Sequence, residues 1–372
     1  MPRSPTCGIS TSGSAPPNSN ISQRGHRRPP HRRPNVLKAL ELRDPQGAHY
    51  TAAVLLYIAV AYIGGWVALF QDSVALNAIG VIALAHGMFI AAYLLHDCGH
   101  NAIFLSTQRN AWLGEVLNWI VGSSYGRYED IRYKHMRHHV DNYDPVVWDY
   151  RSFLQRHPAL EAVVKAAEWA YIPAVEIMMH AMMVAAPWCI ESKRAQRKRV
   201  LTVVLVRGSL LALVFLASPL AFALYVLAQL LLMTALRFMD CYQHNYEVVF
   251  NLDEKDVDIP HRGDAEFEQR NTYSNLLSAR YPLINLLALN FCYHNAHHEK
   301  PTLGWYRLPA LHAQMYPDVE PQVLGFVEQA RAFHKHRVAR IYAEDYGDDE
   351  VKQSLAEGRA VGADALSFLT AF

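Results

Sequence analysis

Two long apolar blocks constrain this chain more than any other feature. Residues 50–70 are 21 uncharged, mostly apolar positions and residues 73–95 are 23 more, with only Gln71 and Asp72 between them. A hydrocarbon core of about 30 Å takes about 20 helical residues, so the first block predicts a transmembrane hairpin over 50–70 and 73–95. The second block, 200–236, carries a single charge, Arg207, and a turn signal at Ser218-Pro219. It predicts two further spans, 200–217 and 220–238, in which Arg207 lies deep enough that it must snorkel or face protein. Shorter apolar stretches at 111–121 and 170–190 read as interfacial or re-entrant helices. The predicted fold class is an all-α integral membrane protein: about four transmembrane helices in two hairpins, interfacial helices, and a cytosolic helical cap.

Charge sets the expected orientation and the domain limits. Residues 1–40 contain no Asp or Glu and are rich in Ser, Pro, Gly and Arg, which predicts a disordered basic tail over 1–45. It lacks the apolar core of an export signal, although transit peptides share its composition. A second basic cluster, Lys193, Arg194, Arg197, Lys198 and Arg199, precedes the third span. With four spans both clusters fall on one side, which the positive-inside rule makes the cytoplasm of a bacterial inner membrane or the endoplasmic reticulum. The catalytic domain is expected over 46–340, followed by an acidic, solvated tail over 341–372 that includes Glu344, Asp345, Asp348, Asp349 and Glu350. With 35 Lys and Arg against 34 Asp and Glu, the net charge of +1 argues against a nucleic-acid partner. Five cysteines without CxxC spacing exclude a zinc ribbon and a disulfide framework.

The chemistry is expected among the 19 histidines. His96 and His100 form an HxxxH box; His135, His138, His139 and His294, His297, His298 form two HxxHH boxes. At this composition a chance HxxxH occurs about once per chain, whereas two HxxHH boxes arise by chance at odds of roughly one in a thousand. Side chains three and four apart share a helix face, so each box can aim its imidazoles at one point. Eight imidazoles are too many for one tetrahedral zinc. They suit two metal ions, which the spacing leaves open among Fe, Cu, Zn and Ni. His244 falls just beyond the fourth span and is taken as a ninth ligand, with Asp240 one turn earlier as a direct, water-bridged or supporting group. Asp141, Asp144 and Asp149 follow the second box and could each accept a ligand ring N–H or simply be solvated loop acids. The isolated His49, His86, His157, His180, His261 and His312 read as structural or surface residues. The methionines at 178, 179, 182 and 183 read as adaptable apolar packing.

The three boxes, their order, and the hairpins before the first and between the second and third resemble the membrane fatty acid desaturase and hydroxylase superfamily over roughly residues 48–311. Leu95-His96-Asp97-Cys98-Gly99-His100 is similar to the first box of acyl desaturases, and Tyr293-His294-Asn295-Ala296-His297-His298-Glu299-Lys300-Pro301 to their third. The resemblance implies a non-haem diiron centre, with O2 as co-substrate and two electrons from an outside donor. It also implies that the eight box histidines are iron ligands and that His244 occupies an intervening ligand position. The third box begins with His294, not the Gln of front-end desaturases, and no HPGG motif of a fused cytochrome b5 domain occurs. Electrons are therefore expected from a separate protein, a ferredoxin or cytochrome b5. The expected substrate is a lipid or acyl thioester. Desaturation is the first expectation. A hydroxylase or ketolase of the same scaffold, acting on an acyl chain, alkane or carotenoid, is the alternative.

Overall fold

The computed structural model describes residues 41–241, 243–244, 246, 249–252, 258–317, 322–342 and 367–372. Most of the basic tail and of the acidic tail therefore lies outside the described residues. Residues 41–45, assigned to the tail from their charge pattern, are tied down: the Arg43 N–H donates to the Ile103 carbonyl (2.9 Å), and Asp44 pairs with Arg307 (2.6 Å).

Among the described residues, four helices are long and apolar enough to cross a membrane. α1 (Ala48–Leu69) and α2 (Val74–Gly99) form the first hairpin, with Ser73 capping α2 by accepting the Leu76 N–H. α8 (Arg197–Ala217) and α9 (Pro219–Asp240) form the second, where Ser218 is the N-cap and Pro219 sits in the first turn, a position that needs no backbone donor. α2 and α9 run past the expected ends of their spans, so the first histidine box closes α2 and Asp240 closes α9. α2 is central: 72% of its most apolar stretch is buried, against 28% for α1, 28% for α9 and 11% for α8. The faces that α1, α8 and α9 leave uncovered are mostly apolar, as lipid contact requires.

Small residues let α1 and α2 approach closely. A Cβ at Gly80 would lie 2.9 Å from Leu69 Cδ2 and 3.0 Å from the Gly65 carbonyl oxygen. Gly80→Val is expected to lower stability by about 1–3 kcal/mol through overpacking. Gly64→Ala, whose Cβ would meet nothing within 4 Å, should be near neutral. Thermal unfolding of the two variants in one detergent checks this.

The remaining helices connect and cap the hairpins. α3 (Thr107–Val121) runs back along α2, turns at Gly122 with a left-handed φ of 102°, and returns as α4 (Tyr128–Asp141). The end of α3 accounts for Arg207: its guanidinium faces protein and donates to the Trp119 carbonyl (2.9 Å) and to the Tyr225 hydroxyl of α9 (3.4 Å). Gln229 donates to the Val121 carbonyl (3.3 Å), and Arg199 to the carbonyls of Ser124, Tyr125 and Gly126. Two side chains from the middle of the second hairpin thus satisfy carbonyls in the last turn of α3, and Arg199, nearer its start, satisfies those of the non-helical turn that follows.

α5 (Tyr150–Gln155), α6 (Pro158–Trp169) and α7 (Ala174–Cys189) follow; Met179 and Met183 of α7 are fully buried in the core, as apolar packing requires. A short parallel ladder pairs β1 (Asp144–Val146) with β2 (Val249–Asn251). α10 (Ala265–Arg270), α11 (His294–Glu299), α12 (Leu308–Met315) and α13 (Phe326–His336) complete the cap. Ser367–Phe372, expected at a solvated end, is instead buried: Leu369, Ala371 and Phe372 are each no more than 2% exposed. Four of these six residues are apolar or aromatic, and charge counting over the whole tail concealed that.

Candidate metal centre

All nine histidines singled out in the sequence converge, and they divide into two sets. In the first, one ring nitrogen each of His96, His100, His135, His139 and His297 lies within 4.8 Å of all the others; the second is His138, His244, His294 and His298. The division runs within the boxes. In each HxxHH box the outer pair, four residues apart, enters one set and the middle histidine enters the other, because α4 and α11 are each rotated so that the box straddles both sets. His135 and His139 of α4 therefore face the first set and His138 the second. α11 does the reverse, with His294 and His298 in the second set and His297 in the first. His96 and His100, four apart at the end of α2, join the first. The two sets are thus stitched together by α4 and α11.

The nitrogens are spaced as metal ligands are. In the first set His135 Nε2 is 2.7 Å from His100 Nε2 and 3.0 Å from His139 Nε2. In the second, His244 Nε2 is 2.9 Å from His138 Nε2 and 2.6 Å from His294 Nε2. An ion about 2.0–2.1 Å from each imidazole nitrogen keeps neighbouring nitrogens about 3 Å apart. Proton placement makes the same point. His138 Nδ1 donates to the Tyr143 carbonyl (3.0 Å), so in the neutral ring its Nε2 carries only a lone pair. The Thr272 hydroxyl donates to the Glu268 carbonyl (2.7 Å) and so accepts from His244 Nδ1 (3.4 Å), which leaves His244 Nε2 a lone pair as well. Two lone pairs 2.9 Å apart repel unless a cation lies between them. Neither ring nitrogen of His96 has a hydrogen-bond partner among the described residues. Burial, reinforced by neighbouring imidazoles, holds His100, His135, His139, His244, His294 and His298 well below the usual imidazole range. It brings His297 down to about 3. Neutral imidazole is the form that binds metal.

Carboxylates stand behind the rings. Glu268 Oε1 accepts from His298 Nδ1 (2.6 Å) and lies 3.9 Å from His139 Nδ1, so it bonds a histidine of one set and approaches, without a hydrogen bond, a histidine of the other. Burial lifts its carboxyl to about 7. Asp144 Oδ1 lies 3.2 Å from His138 Nδ1. Of the three acids after the second box, it alone approaches a ring: Asp141 pairs with Arg137 and Arg262, and Asp149 caps α5 through the Ser152 N–H (2.9 Å). Asp240 is half-buried, with both carboxylate oxygens shielded, and lines a cavity together with His244, with no hydrogen bond to an imidazole among the described residues. Glu268 and Thr272 were not singled out from the sequence, because nothing in the spacing of α10 or the loop after it marks them. His86, His157 and His180 bond to nearby hydroxyls and carbonyls, as isolated histidines do.

One cavity reaches both sets. It is lined by His135 from the first, His138, His244 and His294 from the second, and by Phe291, Pro145 and Phe368. Lys134, Asp144, Asp240, Gln243 and Ser367 complete the lining, so the imidazoles share the cavity with both aromatic and polar side chains. Comparison with curated proteins finds no match. The family description fatty acid desaturase matches residues 73–330, well over half of the 372 residues. The match takes in all three histidine boxes, His244 and both acids behind the rings, and the chain belongs to the fatty acid desaturase family.

Proposed function

We propose that this chain is a membrane fatty-acyl desaturase. His96, His100, His135, His139 and His297 hold one iron, and His138, His244, His294 and His298 hold the other. The observation that carries the reading is the division of nine imidazoles, eight buried and His139 half-buried, into two adjacent sets that share one cavity with Phe291 and Phe368. When bound, the iron pair would supply O2 activation: a CH2–CH2 unit becomes CH=CH, and O2 takes two hydrogens from the substrate, two electrons from a donor and two protons from solvent, leaving as two waters. The protein's own groups do the positioning. Phe291 and Phe368 form a dry wall for an unactivated hydrocarbon, which water would otherwise compete with. Glu268, Asp144 and the Tyr143 carbonyl hold ring Nδ1 protons, which aims each Nε2 at its ion and raises its basicity. Attachment of the sets to the ends of α2 and α9 lets an acyl chain, carried on a lipid or thioester, approach from the bilayer side. The donor is a separate ferredoxin or cytochrome b5 type protein. The boxes face the cytoplasm.

The test is the product. A host that expresses the chain with a matched donor is expected to accumulate a lipid lighter by two hydrogens under air and not under low oxygen, read by gas chromatography with mass spectrometry. A species heavier by one oxygen would transfer the assignment to a hydroxylase of the same scaffold.

A further inference from the structure

We infer that Ser367–Phe372 is a wall of the reaction cavity and that Phe368 sets how far along a substrate chain the site can act, an inference that rests on the acyl-chain reading above. The cavity beside the two histidine sets is small, about 80 Å3, whereas pockets for small organic ligands span about 300–1,000 Å3. Phe368 bounds it beside the histidines: its ring centroid lies 5.6 Å from His96 and 6.2 Å from His135, both in the first set, and Ser367 and Phe368 both line the cavity.

The segment is seated by buried charge. Glu176 of α7, 1% exposed, accepts the Ser367 N–H (2.9 Å) and hydroxyl (2.5 Å). Lys134 of α4, the residue before His135 and 7% exposed, donates to the carbonyls of Thr370 (3.2 Å) and Ser367 (3.4 Å) and to the Thr370 hydroxyl (3.3 Å). Buried charges are costly unless they are hydrogen-bonded, so these contacts mark a built seat and not a casual packing of loose chain. Lys193 donates to the Phe372 carbonyl oxygen. Gly126 leaves room for the backbone: a Cβ there would lie 2.2 Å from the Ala371 carbonyl oxygen. An acyl chain entering this cavity meets the Phe368 ring, and the depth it reaches decides which carbons lie beside the metal pair.

The test compares wild type with Phe368→Ala, Phe368→Leu and Gly126→Val, the last dislodging the segment from a distance. Iron content establishes that each site is intact, and the position of the modified carbon is mapped by mass spectrometry, whether the product is an alkene or an alcohol. Phe368→Ala is expected to retain iron and move the modified position by one or more carbons, with Phe368→Leu moving it less and Gly126→Val in the same direction. Binding of saturated fatty acids of increasing length to the purified, iron-loaded protein gives a readout independent of turnover, and Phe368→Ala should raise the length cut-off. An unchanged position and cut-off in iron-replete Phe368→Ala and Phe368→Leu would overturn the inference. Faster turnover at an unchanged position would also overturn it and make the segment a plug. A wild-type protein that binds fatty acids yet leaves lipids unaltered would count against the desaturase reading, while the cut-off series still decides the role of Phe368.

Discussion

His138→Ala is expected to abolish the lipid product and to lower bound iron from two toward one per chain. His138 is one of four imidazoles in its set, and its Nε2 stands 2.9 Å from that of His244. Its removal leaves three nitrogens and strips Tyr143 and Asp144 of the ring they hold. Because α4 carries histidines of both sets, loss at one site also perturbs the cavity they share. His157→Ala, an exposed histidine bonded within its own turn to the Phe153 carbonyl (2.7 Å), should leave product and iron unchanged. Metal analysis and lipid mass spectrometry on the two variants decide the matter, and full product from His138→Ala would remove it from the ligand set.

Glu268→Gln carries the second largest effect. A carboxylate behind a metal-bound histidine fixes the ring and raises its basicity, and losing such a partner typically weakens metal binding about 10–100-fold. Glu268 serves His298 of one set and approaches His139 of the other, so both irons should be held less tightly. The amide oxygen of Gln still accepts the Nδ1 proton while the charge is gone, so Glu268→Gln should fall at the mild end of that range and Glu268→Ala at the severe end. Competition with a chelator of known affinity measures the loss. Equal iron retention in wild type and Glu268→Ala would show that the carboxylate only neutralises local charge.

The parts of this molecule that were legible in its sequence are those governed by short-range rules. Residue counts across two apolar blocks give four spans to within a few residues at each end. Spacings of three and four bring the box histidines to helix faces, and the position of His244 after a span brings it to the same level. Tertiary arrangement decided the rest. That His138 parts company from His135 and His139 follows from how α4 is rotated between its neighbours, which no spacing states. Asp141, Asp144 and Asp149 are alike in sequence, and only the turn after α4 sends Asp144 to a ring while Asp141 finds two arginines. Arg207 stands out in an apolar span, but the carbonyl that receives it belongs to the last turn of α3, 88 residues away. Ser367–Phe372 left one signal, an apolar run after an acidic stretch, which the net charge of the tail masked.

The account stands on two ions held by nine imidazoles, and metal content tests that most directly. The purified wild-type chain is expected to hold two irons that survive dialysis against a weak chelator. A single ion per chain, or zinc or copper that exchanges freely, would contradict the account and favour a metal-handling role for these histidines.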